Sequence, residues 1–275
     1  MAVWLITGCS TGLGRALASA ALEQGHQVVV TSRRVGEIQD LAEQFPDTAL
    51  AVALDVTDPS AVTAAVSQAQ QHFGAVDVLV NNAGYGYRAA VEEGDEHDVQ
   101  ALFGVNFFGA VSMIKAVLPG MRERRSGAIV NLSSIGARMS PAGSGYYSAV
   151  KNALEGLSAS LRKEVAPLGI KVLVVEPGGF RTDFAGRSLQ QAATPIADYA
   201  DTAGRRRKEN DTADGHQPGD PAKAAQAIIT AVQAAQSPFL LMLGPDALAG
   251  FHAHAEAELA DVQAWETVTT GTDLS

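Results

Sequence analysis

Seven short runs rich in Val, Leu and Ile recur along the chain, separated by longer segments of helical period. They span residues 3–7, 27–31, 49–53, 76–81, 128–132, 171–175 and 239–243. Each run is nearly continuous in apolar character. A strand with one wet face alternates apolar and polar residues; a strand covered on both faces need not. Helical segments are expected around 14–24, 34–44, 59–73, 98–118, 145–166 and 220–236. Asp58-Pro59 and Asp220-Pro221 each set a capping residue before a first-turn proline, which fixes two helix starts. Strand, helix, strand, repeated, predicts an α/β chain with one doubly wound parallel sheet of about seven strands and helices on both faces.

Composition agrees with one large domain over residues 1–275. AVILMFWYC residues make up 47% of the 275, ample for a core. Twenty Lys and Arg against thirty Asp and Glu give a net charge of −10, which repels a phosphate backbone and argues against nucleic-acid binding. The single cysteine, Cys9, can form no internal disulfide. No run of 18 apolar residues is present and no basic leader precedes the first apolar run, so the expectation is a cytoplasmic protein without a membrane span. Two regions break the rhythm. Residues 179–219 lack periodicity and are too long for an ordinary connection, so a lid is expected there. After Gly244 a helical extension is expected at about 246–265, followed by a frayed polar end.

The chemistry-bearing motifs fall in one order. The first strand runs into Thr7-Gly8-Cys9-Ser10-Thr11-Gly12-Leu13-Gly14 and then a helix. Glycines at such a turn let backbone approach a pyrophosphate at a helix N-terminus. Asn81-Asn82-Ala83-Gly84 follows the fourth strand, and Asn106 sits in Val105-Asn106-Phe107. Ser134 follows the fifth strand, Tyr147-Ser148-Ala149-Val150-Lys151 lies on a helix, and Pro177-Gly178-Gly179-Phe180-Arg181-Thr182 follows the sixth strand. T-G-x-x-x-G-x-G, N-A-G, Ser, Y-x-x-x-K and P-G-x-x-x-T in this order resemble the short-chain dehydrogenase/reductase family, motif by motif over about residues 2–182. The longer 179–219 segment and the tail resemble its hydroxysteroid- and retinol-dehydrogenase-like branch.

The resemblance implies a Rossmann-type domain and hydride transfer between a nicotinamide dinucleotide and a carbonyl or alcohol. Reduction of a ketone puts negative charge on its oxygen, which a tyrosine can protonate if its pKa is lowered. Lys151 lies four residues after Tyr147, on the same helix face, and its charge favours the phenolate. Ser134 would polarise the carbonyl. The resemblance adds that Lys151 hydrogen-bonds the nicotinamide ribose and that Asn106 holds a water linking Lys151 to solvent. Tyr146 competes for the catalytic place, but only Tyr147 has a lysine four residues on. Tyr146 is expected to line the substrate side or to pack, and Ser133 to be a bystander.

Cofactor choice is read at the end of the second strand. An acid there would bind the ribose hydroxyl and repel a 2′-phosphate. Ser32 stands there instead, followed by Arg33 and Arg34, so NADP(H) is expected over NAD(H). The implied cofactor contacts are Gly8, Ser10, Thr11, Gly12, Leu13, Gly14, Ser32, Arg33, Arg34, Asp55, Val56, Asn82, Ala83, Gly84, Tyr147, Lys151, Pro177, Gly178 and Thr182. The catalytic set is Ser134, Tyr147, Lys151 and Asn106.

The charged run Arg205-Arg206-Arg207-Lys208 is read as a solvated loop, since Glu209, Asp211 and Asp214 follow it. His252 and His254 point to different helix faces, and no metal site is expected. The expected activity is an NADP(H)-dependent carbonyl reductase or alcohol dehydrogenase for a small apolar substrate. Two alternatives remain open: a dinucleotide-sensing regulator without turnover, and an acyl-carrier-linked 3-ketoacyl reductase. Family assemblies imply a homodimer through helices 98–118 and 145–166, with a homotetramer as the alternative.

Overall fold

In a computed structural model of the chain, the apolar runs form the strands of one parallel sheet. It describes residues 1–273 except 185, 187 and 214, with only the backbone of 210–213. The sheet strands are Val3–Ile6 (β1), Gln27–Ser32 (β2), Ala49–Ala53 (β3), Val78–Asn81 (β4), Gly127–Leu132 (β6), Ile170–Pro177 (β7) and Leu240–Leu243 (β9). A separate short pair, Gly86–Arg88 (β5) and Leu189–Gln191 (β8), lies outside it. The order across the sheet is β3-β2-β1-β4-β6-β7-β9, and all its pairings are parallel. Between β1 and β4 the strand order reverses direction. A crevice opens there beyond the carboxyl ends of the strands, where such sheets hold ligands.

Helices cover both faces. Gly12–Glu23 (α1) and Pro221–Gln233 (α9) pack on one side, burying Leu17, Ile228 and Ile229 against Trp4, Ile6, Val28 and Val30. Pro59–Phe73 (α3), Ala110–Arg124 (α5) and Gly145–Val165 (α7) cover the other, where Val66, Met113, Val117 and Leu161 meet Leu5, Val29, Leu79 and Ile129. Each strand therefore sends apolar side chains both ways, which is why the runs do not alternate. Both expected caps form. Asp58 accepts from the Ser60 amide at 2.8 Å and Asp220 from the Ala222 amide at 2.8 Å, each worth about 1 kcal/mol.

The remaining helices are Gln39–Gln44 (α2), Glu96–Phe103 (α4), Ile135–Met139 (α6), Arg205–Ala213 (α8), Pro245–Ala264 (α10) and Glu266–Thr270 (α11). From Glu96 to Arg124 the chain is helical throughout, α4 passing into α5 through a wider π-type turn at Gly104–Gly109. That run is long and apolar enough to cross a membrane by composition. Leu102, Met113, Ile114, Val117 and Met121 bury its apolar stripe in this domain, as a core helix does. The 179–219 segment contains β8 and α8, and the polar end after α10 forms the short helix α11.

Candidate active site

β1 ends at Ile6, and the chain turns through Gly8 and Gly12 into α1. A Cβ on Gly14 would collide with the Asn82 amide and the Gly8 carbonyl, so only glycine lets α1 start this close to the end of β4. The Asn82 Nδ2 donates to the carbonyls of Thr7 (2.8 Å) and Gly8 (2.9 Å). In return Thr7 Oγ1 accepts from the amides of Asn82 and Ala83, both at 3.0 Å. Asn82 thus holds the turn in shape. Thr11 makes no side-chain cap on α1, and the first turn carries no acid. The N–H end of the helix dipole is therefore left to an anion. Ser10, Thr11, Gly12 and Leu13 are half-buried along this turn. Thr182 closes it from the β7 side, 3.5 Å from where a Gly12 Cβ would sit. Pro177 ends β7, and the Gly178 amide donates to Leu243 at 2.9 Å. The cradle fits the pyrophosphate of a dinucleotide.

At the end of β2 the structure adds a residue the sequence reading passed over. The expectation of no acid there is corrected: Glu37, five residues on, folds back. Ser32 Oγ donates to Glu37 Oε2 at 2.8 Å, and Arg34 Nε to Oε1 at 2.8 Å, with a second Arg34 nitrogen on the same oxygen. Ser32 is buried, whereas the Arg34 side chain is 80% exposed. Arg33 is exposed and forms no ion pair among the described residues. Asp55 lies at the end of the strand beside it. Its carboxylate accepts from the Thr57 hydroxyl (2.6 Å) and amide (2.9 Å), which holds its pKa below the usual range, and the Arg33 charge adds to this. Val56 is buried against Gly109.

The four expected catalytic residues converge. Ser134 Oγ, after β6, accepts the Gly136 amide at 3.0 Å as the cap of α6. Tyr147, on the first turns of α7, is buried beside Ser134, whose hydroxyl acts on its phenol. Lys151, one turn later, is also buried, and its Nζ donates to the Leu132 carbonyl at 2.9 Å. Asn106 sits in the π-type turn, the kind of irregularity often found at functional sites. Its Nδ2 donates to Leu102 (3.1 Å) and Tyr85 (3.2 Å), while its buried Oδ1 meets no protein donor. A Cβ on Gly84 would strike that oxygen and lie 3.6 Å from Lys151 Nζ, so Asn106 and Lys151 approach one point beside Gly84. An unmatched acceptor next to an ammonium suits a bridging water.

The electrostatics differ from the expectation that Lys151 lowers the Tyr147 pKa. Burial pushes the Tyr147 phenol up. What acts against burial is the Ser134 hydroxyl and the charge of Arg88. Arg88 Cζ lies 5.6 Å from the Tyr147 ring centroid and Lys151 Nζ 5.8 Å. Burial pulls the Lys151 pKa down to about 8, with Glu155 opposing. Arg88 was not singled out in the sequence; it lies on β5, too short a strand to signal itself.

Around this centre the 179–219 segment is tied down. Arg207 was read as part of a solvated loop, but it lies on α8 in a buried ion pair. Its guanidinium donates to both oxygens of Glu93, at 2.6 and 3.2 Å. Glu93 also accepts from the amides of Ala90 (2.7 Å) and Ile196 (2.8 Å). Arg205 and Arg206 pair with Glu209; Asp214 lies outside the described residues. Phe184 brings its ring 5.8 Å from that of Tyr147. Tyr146 packs: its hydroxyl donates to Val91 at 2.6 Å, and its ring lies 6.2 Å from that of Tyr87. Ser133 is engaged by Glu155, part of a buried cluster with Arg138 and Glu176. Cys9 is wholly buried, its thiol raised to about 12 by that burial, so it is no nucleophile at neutral pH. Asp95, His97 and Asp98 lie close enough to share an ion, but Asp95 is occupied in capping α4.

Comparison with known proteins agrees with this geometry. The family model described as short chain dehydrogenase matches residues 2–193. Oxidoreductase BOA17 of Botryotinia fuckeliana is 39% identical over 97% of this chain and 97% of its own length. A 3-ketodihydrosphingosine reductase of Bacteroides thetaiotaomicron is 40% identical, covering 88% of this chain and 87% of its own. Among solved structures, a short-chain dehydrogenase from Streptomyces avermitilis superposes with TM-score 0.93 at 44% identity, over 99% of this chain and 100% of that one. One from Burkholderia phymatum in complex with NAD gives 0.82 at 25% identity, over 94% and 95%. One from Burkholderia cenocepacia in complex with NADP gives 0.73 at 26%, over 97% and 96%. Matched by that family model over most of its length and about 40% identical to relatives across most of theirs, this chain belongs to the short-chain dehydrogenases.

Proposed function

We propose that this protein interconverts a ketone or aldehyde and an alcohol with NADP(H), Tyr147 passing the proton. The observation that carries this reading is the buried Tyr147, with Ser134 and Lys151 beside its phenol, past the carboxyl end of β6. The neighbours solved with NAD and with NADP support a nicotinamide dinucleotide. Gly8, Gly12, Gly14 and the α1 N-terminus would hold its pyrophosphate, Ala83, Gly84, Pro177, Gly178 and Thr182 its nicotinamide half, and Asp55 and Val56 its adenine. When bound in reduced form it supplies a hydride and is left oxidised.

The chain's own residues then manage the oxygen. Ser134 donates to the substrate oxygen and positions it. Tyr147 gives that oxygen a proton as the carbonyl carbon gains the hydride, and the phenolate is refilled through Lys151 and the water held by Asn106. The reverse direction runs through the same atoms, Tyr147 taking the proton. Arg88 and the Ser134 hydroxyl each favour the phenolate, whichever way the proton moves.

NADP(H) is preferred because Ser32, Arg33 and Arg34 offer a hydroxyl and two cations to a 2′-phosphate. The substrate body is apolar, lying among Phe184, Leu189 and Tyr147. Helices α4, α5 and α7 pair two copies as a homodimer, and Phe108, 60% exposed on the α4–α5 run, belongs to that face. The test follows consumption of NADPH and of NADH against a panel of ketones and aldehydes. It is run on the wild type and on Ser32→Asp combined with Arg33→Ala. The wild type should favour NADPH and the double variant should move toward NADH. A pure dinucleotide sensor would bind without turnover on any member of the panel.

A further inference from the structure

Arg88 stands out among the buried charges of this molecule. It is 7% exposed, on β5, under the ring of Tyr147. One of its terminal nitrogens donates to the Tyr87 carbonyl at 3.3 Å, and its Nε is buried without a partner. No carboxylate among the described residues forms an ion pair with it. The other charged side chain that reaches it is Arg206, of the same sign. Two other arginines withdrawn from solvent are treated differently by this fold. Arg138 has Glu155 and Glu176, and Arg207 has Glu93. A guanidinium taken out of water without an anion is costly, and such a cost persists where a ligand repays it.

We propose that the substrate carries a carboxylate and that Arg88 receives it, so that the enzyme acts on an oxo acid or hydroxy acid with an apolar body. This rests on the oxidoreductase reading above and names the substrate class for the same site. The guanidinium lies over the ring of Tyr147, and only one of its nitrogens is engaged, by the Tyr87 carbonyl, which leaves further donors for a partner. A carboxylate matches those donors with two oxygens. Arg88 Cζ is 5.6 Å from the centre of the Tyr147 ring, so an acid held by Arg88 would have its carbonyl carbon within a few bonds of the phenol. Phe184 and Leu189, on the 179–219 segment beside Gly86, supply the apolar wall for the rest of the chain.

The test uses the full-length protein with NADPH and oxohexanoates bearing the ketone at each chain position, each alongside its methyl ester. Binding of hexanoate to the protein–NADP+ complex is measured in parallel by calorimetry. At least one acid should exceed its own ester at least 10-fold in kcat/KM. Arg88→Gln should lower kcat/KM for that acid at least ten times more than for the ester, chiefly through KM. Arg88→Lys, which keeps the charge but loses the fork, should retain part of the preference. Hexanoate should bind at least 10-fold more weakly to Arg88→Gln. Esters reduced as well as acids by the wild type would overturn the proposal while leaving the oxidoreductase reading intact. So would an equal loss on acid and ester, carried in kcat, since Arg88 would then act only through Tyr147. Hexanoate binding that depends on Arg88, with no ketone of either kind turned over, would retain the anion site and refute the oxidoreductase reading.

Discussion

Glu37→Gln should shift dinucleotide choice toward NADP(H). The Glu37 carboxylate takes the Ser32 hydroxyl on one oxygen and Arg34 on the other, each at 2.8 Å. These are the donors a 2′-phosphate needs, so the phosphate must displace a carboxylate of its own sign. Arg34 is largely solvated, so its share of the competition is below about 1 kcal/mol. Ser32 is buried, and its charge-assisted bond to Glu37 is worth about 1.5–3 kcal/mol, most of which the phosphate regains on exchange. Removing the carboxylate charge is therefore expected to favour NADPH by about 1–2 kcal/mol, or ~5- to 30-fold in Kd. NADH carries no 2′-phosphate and has no need to displace Glu37, so its affinity should change by less than about 3-fold, within ~0.7 kcal/mol. Fluorescence titration of both reduced dinucleotides against wild type and variant gives the ratio directly. An unchanged ratio, or one that moves toward NADH, would mean that Glu37 orients Ser32 and Arg34 for the phosphate instead of competing with it.

Tyr147→Phe should cut turnover by at least ~100-fold, the low end for a positioned acid, while the dissociation constant for NADPH stays nearly constant; near-normal turnover would remove Tyr147 from its role. Reduction needs Tyr147 protonated, and burial holds that phenol above its ordinary range, whereas Lys151 loses its proton as pH rises through about 8. The rate of reduction should therefore be level on the acid side of that value and fall above it, and a pH profile that climbs through it would refute the assignment. Glu93 is pulled down to about 2, chiefly by Arg207, so its contribution to stability is present above the ordinary carboxylate pKa and lost as pH falls toward the depressed value. At neutral pH Glu93→Gln leaves Arg207 without its anion, at a cost of roughly 3 kcal/mol, and amide exchange should rise first in β8 and α8. Unchanged protection there would show that the pair does not hold the segment down.

The sheet could be read from the chain because its signal is local. A strand buried on both faces must be apolar at consecutive positions, and β3 falls at residues 49–53, as its run did. β5 and β8 gave no such signal. Each is three residues long, and they pair Gly86 with Leu189 across a hundred residues, so their existence depends on a contact and not on a pattern. The 179–219 segment was opaque for a related reason. α8 reads Arg-Arg-Arg-Lys-Glu-Asn-Asp-Thr-Ala and has no apolar face with which to announce a helix. What anchors it is Glu93, 114 positions away from Arg207.

The site divides along the same line. The residues proposed for the chemistry stand in a fixed order, and spacing alone sets Tyr147 and Lys151 on one helix face. Spacing carries no information on what burial does to a charge. At this site burial draws Lys151 down toward neutrality and sends its Nζ to a carbonyl, while an arginine from a distant strand comes as close to the phenol. The same holds at β2, where no acid stands in line with the strand and one arrives from five residues further on. Glu37 and Arg88 are both charges that only the folded chain brings to the site. One is an anion already paired with Ser32 and Arg34, the donors proposed for a 2′-phosphate, and the other is a cation that no carboxylate among the described residues answers. A charge that the fold leaves to be answered from outside reports on the ligand, which is why Arg88, illegible in the sequence, carries the proposal on what the site binds.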